Sequence, residues 1–294
     1  MENTYDLSVC IVNYNNKNEL IICIESVING IKRLKGEIIV YDNNSSDKSA
    51  EMIIENFPSV RLIKSFENVG LARAANEILK IAKGKFILLL DSDTEVKAEA
   101  IYNIVNFLRD NNDVGVVGAR IYNSDNSVQQ TARRFPNLLS GLFGRRAFIT
   151  RIFPNNPISK YFLCADYINS TQPFEVDYVS AACMLFRREI VTEIGGFDND
   201  YFVYWVDVDW CRRVKNKGYK VFYVPSAKVI HYERFQPKRK KSPKMIKDFN
   251  CGAYLYYQKH HVKDPLSLKN LMAITVLLIR TKLCLFLNIF KKTG

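Results

Sequence analysis

The chain of 294 residues is 48% hydrophobic and 24% charged, a composition that is typical of folded globular proteins and excludes an intrinsically disordered chain. Its length allows one large domain or two closely packed halves. The formal net charge of +12 indicates a polyanionic partner, namely nucleic acid, an anionic membrane or a phosphorylated substrate.

Strands and helices alternate in the first part of the chain. Apolar runs predict strands at residues 7–14, 37–41, 60–64, 86–90 and 114–118. Intervening helices are predicted up to residue 31 and at residues 48–56, 71–82 and 98–111. This alternation is typical of a parallel, Rossmann-like sheet. Because ligands bind outside the carboxyl ends of strands in open α/β sheets, the polar residues that follow these strands mark the predicted ligand edge: Asn13, Asp42, Asn68 and Asp91.

The second part of the chain is less regular. Residues 120–175 lack clear periodicity, and we interpret them as loop-rich chain that shapes a substrate site. Order returns in a strand-like run at residues 176–186 and a helix near residues 207–216. Two short strands are predicted at residues 220–224 and 228–231.

Asp91-Ser92-Asp93 directly follows the strand predicted at residues 86–90. Two carboxylates at this spacing can hold a divalent cation through oxygen ligands, and the cation can in turn hold a diphosphate. The alternative is an acidic turn in which Asp93 or Thr94 caps the following helix.

The seven cysteines are scattered and form no Cys-x-x-Cys motif, so we expect them to be reduced and buried in a cytosolic protein. The N-terminus is polar and lacks the pattern of a signal peptide. Basic residues concentrate between residues 233 and 247, before a heavily apolar segment at residues 266–290. Its charge-free runs, residues 270–279 and 283–290, are shorter than the ~20 residues of a membrane span.

We therefore expect this tail to lie on the inner face of the cell membrane, with the basic stretch contacting anionic lipid. The alternative is a helix that packs on the domain or on a second subunit, which leaves a homodimer open.

Several motifs resemble, in order and spacing, the family 2 glycosyltransferases of the GT-A fold. The motifs are VNYN at 12–15, VYDNNSSD at 40–47, NVGLA at 68–72, LLLDSD at 88–93 and GGFD at 195–198. RRFP at 133–136 and VDYVS at 176–180 make bacterial rhamnosyltransferases the most similar subgroup. The resemblance implies an α/β fold, a GT-A Rossmann-like mixed sheet flanked by helices, with a basic, apolar C-terminal helical tail.

It also implies a division of the chain into a nucleotide-sugar-binding half (1–118), an acceptor-binding and catalytic half of the same domain (119–235) and a membrane-associating tail (236–294).

The resemblance implies that Tyr14, Asp42, Asn68 and Asp91 bind the donor nucleotide, with Asp42 accepting a hydrogen bond from the base. Asp42 could instead form an Asx turn with its own backbone, and Asn68 could only fix a glycine-containing turn.

The metal ligands implied by the resemblance are Asp93, Asp91 and His231, which would hold Mn²⁺ or Mg²⁺. A lone histidine on a strand is more often structural, and this remains the alternative for His231.

The resemblance assigns Asp207 as the general base. In the family this position closes a Glu-Asp pair, but Val206 precedes it here. Asp209 is the second candidate, and its alternative is an ion pair with Arg212 or Arg213.

Acceptor or diphosphate contacts are expected from Trp205, Tyr204, Arg133 and Arg134, besides Asp209. The Arg187-Arg188 pair is a further diphosphate candidate. The alternatives are core packing for the aromatic residues and solvated surface charge for the arginines.

The resemblance therefore implies an inverting, metal-dependent hexosyltransferase that moves a sugar, with rhamnose favoured, from a dTDP- or UDP-linked donor to a lipid-linked or polysaccharide acceptor in cell-surface glycan biosynthesis. The alternative is a catalytically impaired nucleotide-sugar-binding partner subunit, suggested by Val206. A nicotinamide oxidoreductase is disfavoured because no Gly-x-Gly-x-x-Gly turn follows the first strand. A nucleic-acid partner is disfavoured because no known binding signature is present.

Overall fold

The structure is a computed structural model that describes residues 5–137, 152–153, 156–232 and 242–290. The strands are β1 (Tyr5–Asn13), β2 (Gly36–Asp42), β3 (Arg61–Lys64), β4 (Gly84–Asp91), β5 (Thr94–Val96), β6 (Val114–Tyr122), β7 (Phe174–Val176), β8 (Cys183–Arg187) and β9 (Lys220–His231). The helices are α1 (Lys17–Gly30), α2 (Ser49–Asn56), α3 (Gly70–Ile81), α4 (Ala100–Asp110), α5 (Pro157–Phe162), α6 (Arg188–Ile194), α7 (Val206–Asn216), α8 (Pro243–His261) and α9 (Leu268–Ile289).

These strands form one mixed sheet, confirming the predicted architecture. Its order is β3-β2-β1-β4-β8-β6-β9-β5, and β7 pairs with β9. The first four positions are parallel, whereas β8 runs antiparallel to both β4 and β6. Strands predicted for both halves of the domain therefore share a single sheet.

Helices cover both faces of the sheet, which explains why its central strands are continuously apolar. On one face, α1 and α4 bury Leu20, Ile24 and Ile104 against β1 and β4. On the other face, α3 and α7 bury Ile78 and Trp210. The sheet edges left between these helices hold the polar strand ends.

The second half differs from the sequence prediction in several strands. Residues 176–186 are not one strand, because β7 ends at Val176 and β8 begins at Cys183. Residues 220–231 are one strand instead of two, and its pairing with β6 shifts register between Ala119 and Arg120. Because Pro225 has no backbone N–H to donate, a bulge here lets the strand continue past it.

The C-terminal tail contains two helices, α8 and α9, of which α9 runs through both predicted charge-free runs. Residues 270–289 of α9 have the length and composition of a membrane span, with mean hydropathy 1.8, and only 11% of the window is buried. The basic residues at positions 233–241 lie outside the described residues. All seven cysteines are free, but Cys251 is exposed and Cys284 is only partly buried, so the expectation of burial is wrong for these two.

Candidate active site

The polar ends of β1, β2 and β4 meet at one edge of the sheet, as predicted from their order. In the parallel ladders, Asn13 lies opposite Asp42, and Val12 lies opposite Asp91. The loop that leads into β8 reaches the same edge, where the Asp91 N–H donates to the Ala182 carbonyl at 3.2 Å.

Asp91, Asp93 and His231 form a cluster that could hold a metal ion. Their ligand atoms all lie within 4.8 Å of one another. His231 Nε2 is 3.1 Å from Asp93 Oδ1 and 3.7 Å from Asp91 Oδ2. The donor set, two carboxylates and an imidazole, fits Mn²⁺ or Mg²⁺, and the imidazole suits Mn²⁺ better.

β5 explains how the histidine reaches the acidic pair. Directly after Asp93, Thr94 begins this short strand and pairs with His231 on β9. The Tyr232 N–H donates to the Asp93 carbonyl at 2.8 Å. The alternative that Asp93 or Thr94 caps a helix is therefore wrong, since a strand begins there.

Gln129 is a residue of this site that the sequence analysis missed. Its Oε1 lies 3.3 Å from His231 Nδ1, while its amide nitrogen donates to Asn123 Oδ1 at 2.6 Å. Because the amide nitrogen is committed to Asn123, the oxygen faces the imidazole and accepts from Nδ1–H. This arrangement leaves Nε2 of His231 as the nitrogen that can bind a cation.

Asp207 lies in the first turn of α7, on the other side of the loop that precedes β8. Its Oδ2 accepts from the Ala181 N–H at 3.3 Å, and its Oδ1 accepts from the Val208 N–H at 2.9 Å. Burial raises the pKa of Asp207 above its ordinary value, although these N–H groups and the charge of Arg133 partly offset the effect. The raised pKa and the fixed position of the carboxylate suit a group that must accept a proton near neutral pH.

The loop at residues 180–182 joins the two acidic centres. Ala182 accepts from the Asp91 backbone, and its neighbour Ala181 donates to the Asp207 side chain. The main chain of Asp91, in the candidate metal cluster, and the carboxylate of Asp207 thus contact consecutive residues of one loop. This proximity is what a donor site adjoining an acceptor site requires.

Asp42 and Asn68 make contacts of the kind that the structural alternatives describe, and their nucleotide-binding roles stay predictions. Asp42 is 2% exposed, and its oxygens accept from Asn13 Nδ2 and from the Ser45 N–H, both at 3.0 Å. Asn68 accepts from the Gly70 N–H at 3.0 Å and fixes that turn. The nearby Tyr14 is 49% exposed at the same edge.

Asp209 does not have the surroundings of a second candidate base. It is 1% exposed, and its carboxylate accepts from Arg213 Nε at 3.0 Å and lies 2.8 Å from His260 Nε2. Burial opposes its ionisation, but the bond to His260 and the charge of Arg213 outweigh burial and lower its pKa. The carboxylate is enclosed by these partners, and its contact with Arg213 is the ion pair that the alternative describes.

The predicted arginines divide into two groups. Arg133 lies beside Tyr178 and close enough to Asp207 to affect its pKa, and Arg134 pairs with Asp177 at 3.5 Å. Arg187, in contrast, is 6% exposed and donates to carbonyls at the opposite end of the sheet. The expectation that Arg187 binds diphosphate is therefore wrong, because it faces buried main-chain acceptors.

Trp205 and Tyr204 stand immediately before α7 and contact α8. The Trp205 Nε1–H donates to the Phe249 carbonyl at 2.9 Å, and Tyr204 packs edge-on against the Phe249 ring at 5.4 Å. Their principal contacts are therefore with the protein itself. This packing matches the alternative considered for the aromatic residues.

Comparisons with known proteins agree with this geometry. The model of the family described as Glycosyl transferase family 2 matches residues 8–195. The chain is 28% identical over 207 residues to an N-acetylglucosaminyl-diphospho-decaprenol L-rhamnosyltransferase of Mycobacterium tuberculosis. That alignment covers 67% of this chain and 66% of the relative, so the chain spans just under two thirds of it.

Solved structures share the fold at low sequence identity. GalNAc-T7 with UDP, GalNAc and Mn²⁺ aligns with a TM-score of 0.64 and 18% identity, covering 88% of this chain and 48% of that chain. The mannosyltransferase PcManGT of Pyrobaculum calidifontis, in complex with GDP-Man and Mn²⁺, aligns with a TM-score of 0.58 and 18% identity, covering 94% and 71%. With its family match, mixed sheet and acidic strand ends, the chain belongs to glycosyl transferase family 2 and has the GT-A fold.

Proposed function

We propose that this protein is an inverting, metal-dependent glycosyltransferase that uses a nucleotide-diphosphate sugar. The observation that supports this most strongly is the adjacency of two acidic centres across Ala181 and Ala182. One centre, Asp91 with Asp93 and His231, has the ligands of a divalent cation. The other centre, Asp207, has the raised pKa of a proton acceptor.

The cation would neutralise the diphosphate of the donor as this leaving group departs. Asp93 and His231 would be its principal ligands, since their atoms are the nearest pair of the cluster. Gln129 holds the imidazole in the tautomer that this role needs. Tyr14, exposed at the same edge, would contact the base of the nucleotide.

Asp207 would accept the proton of the acceptor hydroxyl as that oxygen attacks the anomeric carbon. The new carbon–oxygen bond forms on the face opposite the diphosphate, whose oxygen leaves with the electron pair of the broken bond. One displacement of this kind inverts the anomeric centre. Val206 is 1% exposed in the core, so Asp207 acts without the neighbouring carboxylate of the family pattern.

For the substrates, we propose transfer of rhamnose from a dTDP-linked donor to a lipid-linked acceptor. Support comes from the relative in Mycobacterium tuberculosis, whose name specifies L-rhamnose and a diphospho-decaprenol carrier. A UDP-linked donor and a polysaccharide acceptor are the alternatives. All of these fit a role in cell-surface glycan synthesis.

We also propose that α9 rests on an anionic membrane surface, where a lipid-linked acceptor would be found. Five apolar side chains recur at helical spacing on its outer face and are 53–61% exposed: Met272, Val276, Ile279, Leu283 and Phe286. The opposite face buries Asn270, Ala273 and Asn288. A helix with one face against protein and the other apolar and exposed suits an interface better than a span.

Isothermal titration with UDP and with dTDP, each with and without Mn²⁺, tests the proposal. We expect one nucleotide to bind and its affinity to depend on Mn²⁺. Binding of neither would contradict the proposal. Binding without any sugar transfer across a panel of nucleotide sugars would favour the impaired partner subunit instead, and a positive hydrolysis signal in that panel would identify the donor.

A further inference from the structure

The main chain takes a strained conformation just before the proposed base. Trp205 has φ of 73°, in the left-handed region, and α7 begins at the next residue. A bulky side chain seldom adopts this conformation, and it persists only where the surroundings hold it. Because Asp207 lies two residues further on, whatever holds Trp205 also sets the position of the Asp207 carboxylate.

Helix α8 contacts this turn through the Trp205 side chain. The indole N–H donates to the Phe249 carbonyl at 2.9 Å. The ring also packs between Phe249 and Tyr256, at centroid distances of 5.7 and 5.5 Å. The contact is thus polar at one atom and apolar around the ring, which fixes both the position and the tilt of the indole.

Gly252 allows α8 to come this close. A Cβ added at Gly252 would lie 2.8 Å from Trp205 Cδ1 and 3.2 Å from the Tyr204 carbonyl oxygen. The second of these atoms belongs to the backbone of the turn and cannot rotate away. Any side chain at position 252 would therefore push α8 and the turn apart.

Further contacts hold the turn and the two helices together. Burial raises the pKa of Asp248, and the nearby backbone N–H groups of Tyr204 and Val203 partly offset that effect. Near the other end of α8, His260 Nε2 lies 2.8 Å from the buried Asp209 of α7. One end of α8 therefore contacts the turn, and the other end contacts α7.

The turn is held on its other side by the donor half of the domain. The Phe202 carbonyl accepts from the Leu71 N–H at 2.6 Å, at the start of α3. A Cβ at Gly70 would meet this same carbonyl oxygen at 2.4 Å. The turn is therefore held between α3 and α8. Of these two helices, α8 lies outside the sheet domain.

We propose that α8 is a positioning element for the general base, with Gly252 and Asp248 as its positioning residues. The inference rests on the proposed function, because it concerns how Asp207 is placed for proton transfer. Neither residue belongs to the cation cluster or to the nucleotide edge. Their loss should therefore slow turnover without weakening donor binding.

The test compares Gly252→Ala with Cys251→Ala, its exposed neighbour on α8. Hydrolysis or transfer of dTDP-rhamnose with Mn²⁺ gives kcat and the donor KM, and titration with dTDP gives nucleotide affinity. We expect Gly252→Ala to lower kcat by about 10- to 100-fold, the scale of a small misplacement of a catalytic group. Donor KM and dTDP affinity should stay within about twofold, and Cys251→Ala should match the wild type. Alanine favours a helix more than glycine does, so weaker helix formation would not explain the loss.

The pair Asp248→Ala and Asp248→Asn decides the question if Gly252→Ala does not fold. The alanine variant should lose kcat, and the asparagine variant should recover most of it because its side-chain oxygen can still accept from the turn. Equal kcat in Gly252→Ala and Cys251→Ala, or equal losses of kcat and dTDP affinity, would overturn the inference. A wild-type protein that binds neither dTDP nor UDP would instead refute the proposed function.

Discussion

A glutamine on the loop after β6 orients the histidine of the proposed metal site. Gln129 Oε1 faces His231 Nδ1 at 3.3 Å. Replacing Gln129 by leucine keeps the size of the side chain but removes the acceptor. We expect Mn²⁺ affinity to fall by about 10- to 100-fold, as is usual when the partner of a metal-binding histidine is lost. Titration of Mn²⁺ followed by electron paramagnetic resonance measures this directly.

Gln130→Leu is the matched control, because Gln130 accepts from Arg133 Nε through its backbone carbonyl, which the substitution keeps. It should bind Mn²⁺ like the wild type. Unchanged affinity in Gln129→Leu would mean that the imidazole is held by other contacts.

Asp207 should give the reaction an acidic limit that depends on Arg133. The proposed base must be ionised, and burial raises its pKa, so kcat should fall as the pH drops through that raised value. Arg133 lowers this pKa through its charge. Arg133→Gln should therefore move the acidic limit to higher pH. A kcat–pH profile at saturating substrate checks this, with Arg134→Gln as the control, and a limit that stays fixed or moves to lower pH would contradict it.

For single residues, the sequence predicted where a side chain would lie better than what that side chain would do. Asp91 and Asp93 could be found because they follow directly from the apolar run of β4, and His231, which ends β9, was implied by the family resemblance. Asp42 ends a strand too, but its carboxylate accepts from the Ser45 N–H three residues on and from Asn13, which the pairing of β1 with β2 brings close. Gln129 could not be found, since it lies on an irregular loop and meets His231 only through the pairing of β6 with β9.

At the scale of elements, Arg187 ties β8 to the end of α4. Its guanidinium donates to the carbonyls of Val114, Leu108 and Asn111 at 3.0, 2.5 and 3.0 Å. Arg187→Met should leave these acceptors without this donor and lower the free energy of unfolding by about 3 kcal/mol. Urea denaturation measures the loss, and Arg73→Met, at an exposed position of α3, should change it little.

Because Arg187 lies at the far end of the sheet, dTDP affinity should be unaffected in the folded variant. Weaker nucleotide binding with unchanged stability would restore Arg187 as a diphosphate ligand.

The elements that the sequence predicts best are those whose partners are near in the chain. The strands β1 to β4 alternate with helices along the chain, so a parallel sheet could be foreseen. The insertion of β8 between β4 and β6 could not, because its five residues carry no alternation that reports its direction. Nor does apolar composition reveal that α9 has an inner and an outer face, since that division depends on where α8 lies.

At the scale of the whole molecule, membrane binding should depend on the apolar stripe of α9, the exposed row formed by Met272, Val276, Ile279, Leu283 and Phe286. The wild type should sediment with vesicles that contain anionic lipid, and less strongly as salt is raised. Placing glutamate at Val276 and Leu283 interrupts the stripe and should weaken vesicle binding by about tenfold or more. Binding of dTDP should not change, because both positions lie outside the sheet domain.

Glutamate at Thr275 is the control, since this exposed threonine lies beside the stripe and not on it. Binding that resists both high salt and alkaline carbonate would indicate a spanning helix instead. If the wild type is a dimer that does not bind vesicles, and the variant with glutamate at Val276 and Leu283 is a monomer, a second copy of the chain covers this face.

The proposed reaction depends most on two separate roles, cation binding by Asp93 and proton transfer by Asp207. The decisive measurement is the Mn²⁺-dependent affinity for dTDP together with kcat, in Asp93→Ala and Asp207→Asn. We predict that Asp207→Asn lowers kcat by about 10²- to 10⁴-fold and keeps nucleotide affinity. Asp93→Ala should lose the dependence of nucleotide binding on Mn²⁺. Near-full turnover in Asp207→Asn, or intact Mn²⁺ dependence in Asp93→Ala, would contradict the account.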